Sequence, residues 1–162
     1  MKDYRNNTLL LGIGNDILGD DAVGLLAVRE LKQEFEQYVS VVEAMMGGLK
    51  LVEVLEGYER VLILDAIMTG KNPPGTILEI TKEEFNKTVA IAPHFVSLPE
   101  AIEFAKKIGM KFPEVIRILT MEIADPYLLT EEITPPIKNA LPEFIEKARI
   151  ILKQWTQNGE IK

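Results

Sequence analysis

Two near-continuous apolar runs restrict what this chain can fold into: Thr8-Leu9-Leu10-Leu11-Gly12-Ile13-Gly14 and Val61-Leu62-Ile63-Leu64-Asp65. A strand with one wet face alternates apolar and polar residues. Unbroken runs suit strands covered on both faces, as in a parallel sheet between helix layers. Between them, Ala22, Val23, Leu25, Leu26, Val28, Leu31 and Phe35 recur at helical spacing, which predicts an amphipathic helix over about 21–36. Tyr38 to Glu43 reads as a second strand, β-branched at Val39, Val41 and Val42, and Gly47-Gly48 opens a short helix. Arg60 to Ile67 is the third strand. Behind the Lys71-to-Gly75 turn, Thr76 to Ile80 is a short strand suited to an antiparallel place at the sheet edge. Ser97-Leu98-Pro99-Glu100 has the form of a capping box before a helix carrying Ala101, Phe104, Ala105 and Ile108. Glu114 to Glu122 is another strand. Thr134-Pro135 starts a last helix, as N-cap and then proline at the first helical position, with a kink or restart expected at Pro142. Strand and helix alternate throughout. The expectation is one α/β domain over 1–162, a three-layer sandwich whose mostly parallel, twisted sheet of about five strands has helices on both faces.

Composition narrows the chemistry. The chain has no Cys, which rules out thiol nucleophiles and thiolate metal sites supplied by this chain and agrees with a reducing compartment. A formal net charge of −7 opposes nucleic-acid binding, which relies on Lys and Arg neutralising phosphates. Met1 to Asn7 is polar, the run Leu9 to Ile13 is short for a signal sequence, and no stretch approaches the roughly 20 apolar residues of a membrane helix. A soluble, cytoplasmic protein with no membrane insertion is expected.

The loop after the first strand, Gly12-Ile13-Gly14-Asn15-Asp16-Ile17-Leu18-Gly19-Asp20-Asp21, begins like a dinucleotide turn but fails G-x-G-x-x-G at Ile17. Asp16, Asp20 and Asp21 would also surround any bound phosphate with like charge. Capping of the following helix explains one aspartate; three within six residues are harder to explain that way. Asp65 follows four apolar residues where the third strand should emerge, and ionised carboxylates in such places are normally paired or metal-bound. In open α/β sheets, ligands sit at the carboxyl ends of the strands. His94, the one histidine, lies in a loop shaped by Pro93. Two carboxylates and an imidazole converging at one sheet edge make a site for a borderline transition metal. Ser97 suits the capping box better than a nucleophile, so a Ser-His-Asp triad is not favoured.

These residues resemble the [NiFe]-hydrogenase maturation endopeptidases. Gly12-Ile13-Gly14-Asn15 through Leu18-Gly19-Asp20-Asp21-Ala22-Val23-Gly24 looks like the family's N-terminal signature, Asp65-Ala66-Ile67 like its second acidic motif, and Pro93-His94 with Leu98 like its histidine motif. The Pro74-Gly75-Thr76 turn and the Leu129 to Pro135 segment also fit, so the resemblance spans nearly the whole chain. It implies a phosphorylase/hydrolase-like fold and three nickel-contacting positions, Asp21, Asp65 and His94, that also serve as the catalytic set. It further implies a partner, the hydrogenase large-subunit precursor, from which a C-terminal peptide is removed once nickel is inserted. The nickel would be carried by that substrate rather than held permanently. Many relatives have an acidic residue and then Gly-Gly-Thr after the second strand; here Glu43 takes the acidic place, in possible support of the site, and Gly-Gly-Thr is absent. The hydrolysis could be metal-assisted or of aspartate type, with Asp16 or Asp20 as general base. The alternative is a non-catalytic metal-binding checkpoint protein for hydrogenase assembly.

Overall fold

Every residue of β3 (Arg60–Ile67) after Arg60 is buried, which is why its sequence is apolar without alternation. The computed structural model describes residues 7–45, 47–81, 84 and 98–157, and β3 is the middle strand of the five-stranded sheet found among them. It pairs in parallel with β1 (Thr8–Ile13) on one side and β5 (Val115–Glu122) on the other. β2 (Ser40–Ala44) pairs in parallel with β1, and β4 (Ile77–Ile80) runs antiparallel to β5 at the far edge, giving the order β2-β1-β3-β5-β4.

The order explains the layers. Crossovers between parallel strands are right-handed, so stepping outward from β1 to β2 and then back past β1 to β3 puts successive helices on opposite faces. α1 (Val23–Phe35) and the C-terminal helix α4 (Pro135–Gln157) cover one face, packing on Leu10, Leu62, Leu64 and Met121. On the other face, α2 (Lys50–Leu55) and α3 (Leu98–Lys107) pack on Leu9, Leu11, Ile63 and Ile118. The reversal of strand order falls between β1 and β3, and a crevice therefore opens at their carboxyl ends.

Two local expectations change. The first turn of the helix expected from residue 21 is a separate 3₁₀ turn, Gly19–Ala22, entered through Gly19 at φ 54°. Nor does the final helix restart at Pro142, since Pro135–Gln157 is one helix. Proline removes a single backbone donor there, and the buried Phe144, Ala148, Ile151 and Leu152 keep the helix docked beyond it. Among the described residues no helix is long and apolar enough to cross a membrane.

Candidate functional site at the carboxyl edge of the sheet

The last register pair between β1 and β3 is Gly12 with Leu64, so Asp65 is the first β3 residue beyond that ladder, while on its other side it pairs with Thr120 of β5. Strand alternation puts its side chain on the face of Ile63 and Ile67, the face covered by α2 and α3. β3 continues two residues past it, and Asp65 is 0% exposed, deeper than the surface edge its sequence position suggested. Its Oδ1 accepts a hydrogen bond from the Ala66 N–H at 2.8 Å.

The acidic loop reaches the same edge through close backbone packing. The Gly14 N–H donates to the Ala44 carbonyl at 3.1 Å, and Asn15 closes the turn by accepting from the Leu18 N–H on its carbonyl and from the Ile17 N–H on Oδ1. A methyl group on Gly14 would lie 2.3 Å from the Asp21 carbonyl oxygen, and one on Gly24 would lie 2.3 Å from the Leu64 carbonyl oxygen. Side chains there would push the 3₁₀ turn away from the sheet. Glycine lets Asp21, three residues before Gly24, lie against the strand that carries Asp65 one residue after Leu64. Gly12 serves the same contact, since a Cβ there would lie 2.7 Å from the Gly24 carbonyl oxygen. The glycine pattern that hints at a nucleotide turn in the sequence is thus used for helix-on-sheet packing.

Asp21 and Asp65 are both buried, Asp21 in the 3₁₀ turn that packs against the sheet edge and Asp65 on the β3 face covered by α2 and α3. His94 and Ser97 lie outside the described residues. Among those described, no three His, Cys, Asp or Glu side chains form a group able to hold a metal ion.

The other acidic candidates have clear partners. Asp20 does not cap α1, whose N-cap is Ala22 with no side-chain capping bond. Its two carboxylate oxygens accept from the Thr134 N–H and Oγ1–H, each at 2.7 Å, tying the acidic loop to the start of α4. Thr134, expected as an N-cap, therefore spends its hydroxyl proton on Asp20, while its carbonyl accepts from Ile137 and Lys138. The tie continues through Gly19 N–H to Thr130 O at 2.7 Å and Thr130 N–H to Ile17 O at 3.0 Å.

Asp16 is held by both terminal nitrogens of Arg29 at 2.9 Å, and Arg29 Nε donates to Glu43 Oε1 at 2.7 Å. The Arg29 hydrogen bonds hold the Asp16 carboxyl below its ordinary range, outweighing partial desolvation, and the guanidinium charge adds to the shift. Arg29 in turn is held more firmly protonated, first by its bonds to Asp16. A carboxylate stabilised in its ionised form is a poorer proton acceptor.

The sequence reading missed Arg29 and Glu122. Glu122 is buried at the end of β5, where Oε1 accepts from the N–H groups of Thr69 and Gly70 at 2.8 and 2.9 Å and Oε2 from Thr69 Oγ1–H at 2.8 Å. A weaker form of the Asp65 signal was available: Glu122 is an acid closing a strand segment whose Ile116, Ile118, Leu119 and Met121 are apolar but which Arg117 and Thr120 interrupt. Its role is to pin the β3–β4 loop.

Comparison with known proteins gives a consistent answer. A sequence model described as hydrogenase maturation protease matches residues 25–151. The hydrogenase 2 maturation protease of Escherichia coli (strain K12) is 29% identical over 148 residues, covering 87% of this chain and 90% of that protein. The hydrogenase expression/formation protein HupD of Rhizobium leguminosarum bv. viciae is 27% identical over 152 residues, covering 91% and 74%. Among solved structures, the hydrogenase maturating endopeptidase HybD from E. coli superposes with a TM-score of 0.79 at 25% identity, covering 91% of this chain and 92% of that one. The chain belongs to the hydrogenase maturation protease family.

Proposed function

We propose that this protein is the endopeptidase that removes the C-terminal peptide of a [NiFe]-hydrogenase large-subunit precursor after nickel insertion, acting in the cytoplasm. The observation that carries the reading is an aspartate buried at the carboxyl end of β3, Asp65, beside the strand-order reversal where the 3₁₀ turn holding the buried Asp21 packs on the sheet. Two carboxylates and an imidazole suit a borderline transition metal, and nickel brought by the precursor is the ion that Asp21, Asp65 and His94 contact. A precursor without nickel lacks those three contacts and binds poorly, which makes metal insertion a condition of cleavage.

In the reaction, water adds to the scissile carbonyl carbon and gives its proton to a carboxylate oxygen of Asp21 or Asp65 that nickel does not occupy. The C–N bond then breaks, and the leaving nitrogen takes that proton, yielding a trimmed subunit and a free peptide. Asp16 and Asp20 are poor choices for the base, since Asp16 is paired with Arg29 and both oxygens of Asp20 are engaged by Thr134.

The test is incubation of nickel-loaded large-subunit precursor with the wild-type protein and with Asp65→Asn, followed by intact mass. Loss of a short C-terminal peptide with wild type alone supports the proposal. An unchanged mass with every hydrogenase precursor of the same organism rules it out.

A further inference from the structure

Six large aliphatic side chains stand exposed on the loops that follow β1, β2, β3 and β5, namely Ile17, Met45, Leu49, Met68, Leu128 and Leu129, with Tyr127 beside them, at 41–73% exposure. Isolated surface hydrophobes need no explanation, but these share one end of the sheet, the end that carries Asp21 and Asp65. The loops are fixed relative to one another. Gly14 N–H is bonded to Ala44 O beside Met45, and Thr130 links the Leu128–Leu129 stretch to Ile17 and Gly19. Two of the six are methionines, whose unbranched side chains adapt to irregular partner surfaces.

Asp16 and Glu43 on this rim are both paired with Arg29. The β5–α4 loop also exposes Asp125, Glu131 and Glu132 beside its apolar side chains. A polypeptide delivering its C-terminal segment to the Asp21–Asp65 edge has to cross this ring.

Resting on the function proposed above, we infer that the ring is the docking surface for the precursor. It grips an apolar surface of the folded subunit next to the segment to be cut, and it supplies affinity, whereas the acidic edge supplies selectivity for the metal.

The experiment compares Met45→Glu and Leu129→Glu with Phe104→Glu and Ile108→Glu, one residue on α3 and one just past its end, both away from the ring. All four are similarly exposed, at 62–73%. Affinity for nickel-loaded precursor is read by fluorescence anisotropy, cleavage by intact mass, and folding by circular dichroism. The expected result is a tenfold or larger rise in Kd and KM for both ring variants, kcat within twofold of wild type, and no change for the Phe104 and Ile108 variants. Ring variants that bind like wild type overturn the inference while leaving the protease assignment standing. If wild type binds through the ring without cutting, the protease assignment falls and the docking surface stands. Self-association of wild type that both ring variants abolish would give the ring to a second copy of this chain and overturn the inference.

Discussion

Asp20 is the residue at which structural and chemical readings of the acidic loop make opposite predictions. Its two oxygens receive hydrogen bonds from Thr134 N–H and Oγ1–H at 2.7 Å, and the carboxylate itself is buried at 4% exposure. Hydrogen bonds to a charged group contribute about 1.5–3 kcal/mol each. Thr134 is only partly buried, so water recovers some of that loss, and Asp20→Ala should cost about 2–4 kcal/mol. Asn retains one acceptor for the N–H and can turn its amide toward the threonine oxygen, so Asp20→Asn should cost about 1 kcal/mol. With a urea m-value of about 2 kcal/mol/M, the alanine variant should unfold roughly 1–2 M earlier and the asparagine variant about 0.5 M earlier. Below its own transition, Asp20→Asn should still process precursor within a few-fold of the wild-type rate. An Asp20→Asn protein with wild-type stability and no cleavage would refute this reasoning and make Asp20 the base.

Other substitutions test the remaining parts of the site. Gly24→Ala places a methyl 2.3 Å from Leu64 O and 2.6 Å from Ile13 O, both backbone atoms. It should lose about 3 kcal/mol or more in chemical denaturation despite a helix-propensity gain of about 1 kcal/mol, and equal stability would show that the helix–sheet contact is looser than described. Arg29 lowers the Asp16 pKa from its ordinary value of 3.8, so the pair's contribution is complete above that pH and disappears as pH falls through the lower folded-state value. Arg29→Met should therefore cost roughly 0.5 kcal/mol at neutral pH, an exposed pair being screened by solvent, and the gap to wild type should close in acid; a gap that widens on acidification contradicts the sign. Asp65→Asn keeps an acceptor for Ala66 N–H and should remain folded by circular dichroism while yielding no processed product. Processing at the wild-type rate would remove Asp65 from the chemistry.

The architecture was legible because it depends on pattern. Unbroken apolar runs at Leu9 to Ile13 and Val61 to Leu64 could only be covered on both faces, and the turn before Thr76 announced the antiparallel edge strand. Asp65 was legible for the same reason, as a charge ending an apolar run. What the pattern did not carry was pairing across the chain. Nothing local to Asp20 says that its carboxylate serves Thr134, 114 residues away, rather than its own helix. Arg29 reads as one more polar position on the outer face of α1 until β2 brings Glu43 beside it. The helix does not restart at Pro142 because proline's cost is local, whereas helix continuity here is decided by the apolar face it buries. The glycines illustrate both sides: their spacing is visible in the sequence, but whether they face a phosphate or a neighbouring backbone depends on the packing.

In the proposed function, nickel in the precursor is what Asp21, Asp65 and His94 recognise. The most direct measurement is intact mass of the large-subunit precursor incubated with this protein, in nickel-loaded and nickel-free forms prepared side by side. The account predicts loss of the C-terminal peptide from the loaded form alone, and loss of that processing in both Asp65→Asn and His94→Ala. Equal cleavage of the two forms would contradict it.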